Sequence, residues 1–120
     1  MKVLVADDEK GITDLLRAFL EKKGHSVDVV SDGKSALKLI TDKNFDIAFL
    51  DENMPELTGL EISKYIKKNN LRIKSIILTG YPCINEKLSK SVGADEYLVK
   101  PVDLAKIEEI INKYQIYKDE

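Results

Sequence analysis

The sequence is poor in the residues that form disulfide bridges and soft-metal sites. It has one cysteine, Cys83, one histidine, His25, and no tryptophan. A single cysteine excludes an internal disulfide and is typical of a reducing compartment, so we expect a cytoplasmic protein. Cys83 and His25 lie far apart in sequence, which favours an ordinary thiol and an ordinary surface imidazole. So few histidine and cysteine ligands also favour a metal held by oxygen atoms over zinc or copper.

Long apolar runs and an excess of one charge are missing as well. No segment approaches the length needed to cross a bilayer, and Asp7 and Asp8 interrupt the first apolar run too early for a signal peptide. The formal net charge is only −2, whereas a DNA-binding domain normally carries a clear excess of Lys and Arg on one face. We therefore expect neither membrane association nor direct DNA binding.

What the sequence does contain is a regular alternation of apolar runs and amphipathic segments. Its 120 residues are 43% hydrophobic and 33% charged, as in a globular domain. The apolar runs predict five strands, β1 to β5, at 2–6, 26–30, 46–50, 75–78 and 96–99. Helical spacing of apolar residues predicts five helices, α1 to α5, within 12–20, 36–40, 62–66, 84–92 and 104–114. The length and pattern predict a single domain over residues 1–120.

Strand–helix alternation repeated five times is typical of an α/β protein whose parallel sheet has helices on both faces. Right-handed crossovers with one reversal of the winding direction favour a doubly wound, flavodoxin-like (βα)5 fold with strand order 2-1-3-4-5. In such sheets, ligands bind at the carboxyl ends of the strands, near the reversal. The residues that end the strands are therefore the first candidates for a functional site.

Acidic, hydroxyl and basic residues end four of the predicted strands. These are Asp7-Asp8-Glu9 after β1, Asp51 after β3, Thr79-Gly80 after β4 and Lys100-Pro101 after β5. Each group alone is compatible with a helix cap or a turn, but their joint placement at one edge is improbable by chance. Crowded carboxylates need a cation, and oxygen ligands favour Mg²⁺. Lys100 suits a phosphoryl oxygen, and the chain has no GxxxxGKS/T or GxGxxG nucleotide loop. The pattern therefore predicts a phosphoryl-transfer site without a nucleotide.

Four motifs, VLVADDE, LDENMPELTG, ILTGY and YLVKP, resemble the receiver domains of response regulators in two-component signalling. The resemblance runs from residue 2 to about residue 114 and favours the single-domain type that is similar to chemotaxis or sporulation regulators. It implies that Asp51 accepts a phosphoryl group from a phosphohistidine on a histidine kinase or a histidine phosphotransfer protein. It also implies a Mg²⁺ site formed by Asp7, Asp8, Asp51 and the main-chain carbonyl of Asn53.

The same resemblance implies a switch. Thr79 would hydrogen-bond the phosphoryl group on Asp51, and Lys100, beyond a cis peptide bond to Pro101, would pair with it. As Thr79 moves, Tyr97 would turn inward, and the α4–β5–α5 surface would change toward a downstream protein target. The implied protein is a signalling domain that phosphorylates and dephosphorylates itself, not a turnover enzyme. Tyr81 and Pro82 follow Thr79, and Pro82 is expected to stiffen the β4–α4 loop.

Two other classes stay open on the sequence alone. An aspartate-nucleophile phosphohydrolase also carries Asp at a strand end, but it needs a second Asp where this chain has Asn53, and a cap domain that does not fit here. A flavodoxin-like FMN carrier needs a hydroxyl- and glycine-rich loop after β1, where the three acidic residues would repel a phosphate. A stand-alone regulator is favoured over a receiver cut from a longer protein, because the chain starts at Met1 and ends in a short polar tail.

Overall fold

The computed structural model describes residues 1–80, 91 and 93–119, with side chains described up to residue 116. The strands are β1 Lys2–Ala6, β2 Ser26–Val30, β3 Ile47–Asp51, β4 Lys74–Thr79 and β5 Glu96–Val99. The described helices are α1 Lys10–Lys22, α2 Gly33–Asp42, α3 Gly59–Lys68 and α5 Leu104–Asp119. The apolar residues that predict α4 (Ile84, Leu88 and Val92), together with Tyr81, Pro82 and Cys83, lie outside the described residues. Predictions about them stay predictions.

The five strands form one sheet in the order β2-β1-β3-β4-β5, and each neighbouring pair runs parallel. The predicted doubly wound α/β fold is confirmed. Two predicted strand ends were one residue short, because Asp51 is the last residue of β3 and Thr79 the last of β4. Asp51 pairs with Leu78 and Thr79 with Val99. The sheet itself therefore holds both residues in place.

Successive side chains of a strand point to opposite faces of the sheet, and each face has its own hydrophobic core. On the α1/α5 face, the core includes Val5, Phe49 and Leu78 of the strands, Leu16 of α1 and Ile107 of α5. On the α2/α3 face, it includes Leu4, Leu50 and Ile77 of the strands, Ile40 of α2 and Ile62 of α3. Strands buried on both sides explain the nearly continuous apolar runs of β1, β3 and β4.

Local hydrogen bonds fix the segment that joins β3 to α3. Thr58 and Glu61 form a reciprocal capping box at the start of α3, with both bonds at 3.2 Å. Oε1 of Glu52 accepts a hydrogen bond of 2.9 Å from the backbone N–H of Leu60. The segment that carries Asn53 is therefore tied to the helix at its far end, which limits how far Asn53 can move relative to Asp51.

Helix α5 extends beyond the last apolar position that predicted it, Tyr114, and ends at Asp119. Tyr114 is buried, and its hydroxyl donates a 2.9 Å hydrogen bond to Oε2 of Glu96 on β5. Within the described part of the chain, no helix combines the length and the apolar character that crossing a bilayer requires.

Candidate functional site

The site lies at the carboxyl edge of the sheet. Asp7 directly follows β1, Asp51 and Thr79 end β3 and β4, and Lys100 directly follows β5. Since all five strands are parallel, their carboxyl ends meet at one edge, and the side chains of Asp7, Asp51 and Lys100 come into contact there. The juxtaposition expected from the strand ends is present in the structure.

Asp7, Asp8 and Asp51 form an acidic cluster in which one carboxylate oxygen of each residue lies within 4.8 Å of the others. Asp7 is 1% exposed and Asp51 3%, whereas Asp8 is exposed. Two adjacent buried carboxylates are costly unless a cation compensates them. Among the described residues, Oδ2 of Asp7 accepts no well-directed hydrogen bond and has only an ion-pair contact with Lys100. This set of oxygen donors fits Mg²⁺, a hard cation that is commonly bound by a few carboxylates and water.

Lys100 is the cation that the described site does contain. Its Nζ lies 2.9 Å from Oε1 of Glu9, 3.0 Å from Oδ2 of Asp7 and 3.3 Å from Oδ1 of Asp51. Desolvation of the largely buried ammonium lowers its pKa, but the close contacts with the carboxylates of Glu9 and Asp7 and the charge of Asp51 outweigh this effect. The pKa of Lys100 is therefore raised above its ordinary value, and the side chain stays charged at all physiological pH values.

Asp51 is perturbed in the direction expected for a buried carboxyl beside another one. Desolvation by burial and then the charge of Asp7 raise the pKa of Asp51 to about 6, against the opposing effects of Lys100 and the Asn53 backbone N–H. An added divalent cation would favour the ionised form of Asp51 and lower this pKa. The site is therefore built so that cation binding produces a fully charged Asp51.

Backbone hydrogen bonds hold the carboxylates in place. The backbone N–H of Glu9 donates to Oδ1 of Asp7 at 2.8 Å, and that of Asn53 donates to Oδ1 of Asp51 at 3.3 Å. The backbone N–H of Lys100 donates to the carbonyl of Thr79 at 2.7 Å, which links β5 to the end of β4. The Lys100–Pro101 peptide bond is cis, as the resemblance implied.

The two residues of the expected switch, Thr79 and Tyr97, belong to the face of the sheet that packs on α2 and α3. Thr79 is 1% exposed at the end of β4, two residues after Ile77. Tyr97 pairs with Ile77 across β4 and β5, is half-buried, and packs against the core of the α2/α3 face. Thr79 and Tyr97 are therefore neighbours on one face of the sheet.

Sequence reasoning missed two acidic side chains at this edge. In the sequence, Glu9 is the third residue of an acidic run, but in the structure its carboxylate contacts Lys100 directly. Glu52 was not singled out, yet it bonds the first turn of α3 and is half-buried, and desolvation by burial raises its pKa. No sequence signal reveals the Glu9 contact, because 91 residues separate its partner along the chain.

A family model for the response regulator receiver domain matches residues 3–112. The chain belongs to this receiver family. The match settles the class that the sequence had left open, and the phosphohydrolase alternative is not favoured. Receiver domains belong to signalling proteins of two-component systems, in which histidine kinases phosphorylate response regulators.

Curated relatives agree with this assignment. The chain is 33% identical over 108 residues to the response regulator MprA of Mycolicibacterium vanbaalenii, a match that covers 89% of this chain and 47% of MprA. It is 32% identical over 120 residues to the regulatory protein VanRc of Enterococcus gallinarum, covering 97% of this chain and 52% of VanRc. This receiver domain therefore spans about half the length of the curated relatives it matches.

Solved receiver domains share the fold closely. A response regulator receiver domain protein from Clostridium thermocellum superposes with a TM-score of 0.88 at 35% identity, covering 98% of this chain and 96% of that one. The response regulator TrrA of Thermotoga maritima, solved in complex with Mg²⁺–BeF, gives a TM-score of 0.84 at 36% identity, covering 94% and 97%. The bound Mg²⁺ of that neighbour is consistent with the acidic cluster of this receiver domain.

Proposed function

We propose that this receiver domain accepts a phosphoryl group on Asp51 from the phosphohistidine of a histidine kinase or a histidine phosphotransfer protein. The observation that carries the proposal is the contact of the Lys100 ammonium with Asp7 and Asp51 at 3.0 and 3.3 Å, beside a buried acidic pair that needs a cation. In a domain of this signalling family, the arrangement puts a carboxylate nucleophile and a positive charge within reach of the same phosphoryl group.

Asp7, Asp8 and Asp51 would hold Mg²⁺ together with the main-chain carbonyl of Asn53. Bound Mg²⁺ would supply positive charge that neutralises the phosphoryl oxygens during transfer. Asp7 and Asp51 present buried, fixed carboxylate oxygens to such an ion, and exposed Asp8 leaves one side open to water and to the donor.

In the transfer, a carboxylate oxygen of Asp51 forms a bond to phosphorus while the bond from phosphorus to the donor imidazole nitrogen breaks. The imidazole leaves as the electron pair returns to its nitrogen, which takes up a proton. Lys100 donates hydrogen bonds to the phosphoryl oxygens and offsets their charge. The nucleophile must be ionised, so loss of the Asp51 proton precedes the attack.

Thr79 and Tyr97 are proposed to convert phosphorylation into a change of the α4–β5–α5 surface. The hydroxyl of Thr79 would donate a hydrogen bond to the phosphoryl group, and Tyr97 would follow into the space that Thr79 leaves. Phosphorylation would then shift the population between two packed states. Support comes from the position of Thr79 at the end of β4 and of Tyr97 on the same face of β5.

The proposed role of this domain also covers its partners and its type of activity. The chain would bind a downstream protein through the α4–β5–α5 surface, would make no direct contact with DNA, and would act as a single domain without sustained enzymatic turnover. Its near-balanced charge supports the second point. A cytoplasmic location, which the single cysteine favours, stays a prediction.

Incubation with phosphoramidate and Mg²⁺, followed by intact-protein mass spectrometry, tests the proposed acceptor. We expect one added phosphoryl group in the natural protein and none in Asp51→Asn. Asp42→Asn, which changes an exposed aspartate at the end of α2, is the matched control and should be phosphorylated normally. Phosphorylation of Asp51→Asn at the normal rate, or none in the natural protein, would refute the proposal.

A further inference from the structure

Glu9 occupies a helix-capping position without serving as a cap. It is the N-cap residue of α1, yet its side chain makes no capping hydrogen bond. Asp32 and Thr58, at the same position of α2 and α3, each accept a backbone hydrogen bond from the first turn. The Glu9 carboxylate instead reaches across the site to Nζ of Lys100, at 2.9 Å. The side chain is therefore directed to the ammonium and not to its own helix.

Three carboxylates share this one ammonium. Nζ of Lys100 lies within 3.3 Å of an oxygen of Glu9, Asp7 and Asp51, and an ammonium has three N–H donors. The contact with Glu9 is a hydrogen bond, whereas those with Asp7 and Asp51 are ion-pair contacts. A phosphoryl group on Asp51 that binds Lys100 therefore competes with these carboxylates for the ammonium.

Burial decides which contact is displaced. The side chains of Asp7 and Asp51 are 0% and 4% exposed, whereas that of Glu9 is 61% exposed. An ion pair with so exposed a partner is weak, because water solvates the released carboxylate and screens the attraction. Glu9 is also absent from the group of carboxylates whose oxygens can surround one ion. Of the three partners, Glu9 is the one that can leave at low cost and without disturbing the proposed metal ligands.

We infer that Glu9 is a positioning residue that holds the Lys100 ammonium in the unphosphorylated protein and competes for it with the phosphoryl group. This inference rests on the proposed function of Asp51 and Lys100. The Glu9–Lys100 contact stabilises the free state and is lost in the phosphorylated state. Glu9 therefore opposes phosphorylation, and its removal shifts the equilibrium toward the loaded site.

Beryllofluoride, a mimic of the phosphoryl group, gives a binding measurement in place of an activity. With saturating Mg²⁺, fluorine NMR titration is expected to show about two- to five-fold tighter binding in Glu9→Gln, the factor that corresponds to losing one exposed ion pair. Glu21→Gln is the matched control, since Glu21 is an exposed glutamate in the last turn of α1 that pairs with Arg17. Its affinity should equal that of the natural protein.

The same substitution in a Lys100→Met protein distinguishes the Glu9–Lys100 contact from a general repulsion between Glu9 and the bound anion. If Glu9 acts through the ammonium, Glu9→Gln changes nothing in a protein that already carries Lys100→Met. An equal gain in affinity with and without Lys100 would mean that Glu9 merely repels the anion, and would overturn the inference. Unchanged or weaker binding in Glu9→Gln alone would overturn it as well.

Chemical labelling reads the free state directly, without metal. Acetic anhydride should modify Lys100 faster in Glu9→Gln than in the natural protein, because the nitrogen has lost one acceptor, while Glu21→Gln should change nothing. Equal labelling of Lys100 in all three proteins would show that Glu9 does not hold the ammonium. By contrast, a natural protein that binds no beryllofluoride, or binds it equally well as Asp51→Asn, contradicts the proposed function itself.

Discussion

Aspartate residues lie at both ends of this sheet, and their surroundings differ. At the amino end, Asp46 precedes β3 and its Oδ2 accepts the backbone N–H of Lys2 at 2.7 Å. Asp95 precedes β5 and its Oδ2 accepts the backbone N–H of Ser75 at 2.9 Å. Each carboxylate thus joins the start of one strand to the segment that leads into its neighbour. The charge at this end satisfies backbone donors and helps to hold the strands together.

At the carboxyl end, the same residue type is left in need of a partner. Asp7 and Asp51 are buried side by side, the pKa of Asp51 is raised to about 6, and Oδ2 of Asp7 relies on Lys100 alone among the described residues. The comparison shows how structural and functional aspartates can be told apart. The structural carboxylates here accept backbone N–H groups, whereas the functional carboxylates are buried together and their negative charge is only partly compensated.

Adding Mg²⁺ is expected to give the largest difference in stability between variants at the two ends of the sheet. At a concentration of about 100 times its dissociation constant, Mg²⁺ should raise the free energy of unfolding by about 2.7 kcal/mol, because it binds only the folded protein. Urea unfolding in Mg²⁺ and in EDTA measures this gain. Asp51→Asn should lose most of it, and Asp46→Asn should keep it. Equal stabilisation of both variants would mean that Asp51 is not a ligand.

Removing the charge of Asp51 in EDTA should stabilise the protein by about 2 to 3 kcal/mol at pH 7. The pKa of Asp51 is about 6 in the folded state, above its ordinary value of 3.8. Between these two values the folded state binds more protons than the unfolded state, so Asp51 lowers the stability as the pH rises through this window. The penalty is complete above pH 6 and absent below about pH 4.

Urea unfolding of the natural protein and of Asp51→Asn over this pH range measures the difference. The two stability curves should meet at the acidic end and separate toward neutral pH. A variant that is less stable than the natural protein at pH 7 in EDTA would contradict the idea that the charge of Asp51 is poorly compensated.

Substitution of Asp46, at the amino end of the sheet, should lower the stability instead of raising it. Asp46→Ala removes the acceptor of the Lys2 backbone N–H and is expected to lower the free energy of unfolding by about 1 kcal/mol. The N–H is near the surface, so water replaces part of the lost bond. Chemical unfolding and beryllofluoride binding should be measured together, because binding is expected to remain normal. Weakened binding would show that the two ends of the sheet are coupled.

The smallest effect is expected at an exposed ion pair on the edge strand β2. Asp28 contacts Lys43 at 2.9 Å, with side chains that are 34% and 53% exposed. Asp28→Asn should lower the stability by less than about 1 kcal/mol, and 1 M salt should remove most of the difference. A larger or salt-independent loss would indicate that this pair contributes more than its exposure suggests.

The strand order and the edge that carries the site were predictable from the sequence for physical reasons. Parallel strands covered on both faces are apolar throughout, as in β1 and β3, so their ends are clearly marked. Polar residues directly beyond such runs must emerge at one edge of a parallel sheet. The sequence therefore predicts that Asp7, Asp51 and Lys100 meet at one edge of the sheet.

Other features depended on tertiary structure and were not predictable. Asp7 is buried and its neighbour Asp8 is exposed, and a run of two aspartates does not say which one faces inward. Strand β3 begins at Ile47 and not at residue 46, and the side chain of Asp46 before it bonds the backbone of Lys2, a contact between residues far apart in sequence. The contact between Glu9 and Lys100 depends on the closing of the whole sheet.

The alternation of side chains across the sheet separates the reacting groups from the groups that would report on them. Asp51 continues the positions of Ile47 and Phe49, which face α1 and α5. Thr79 lies two residues beyond Ile77 on β4, and Tyr97 pairs with Ile77 from β5, so both belong to the face that packs on α2 and α3. Thr79 ends β4 beside the end of β3, so its hydroxyl is the group through which a phosphoryl group on Asp51 could act on the face that carries Tyr97. A partner that contacts β5 could therefore sense the chemistry at Asp51 through Thr79, at the edge of the sheet, without touching Asp51 itself.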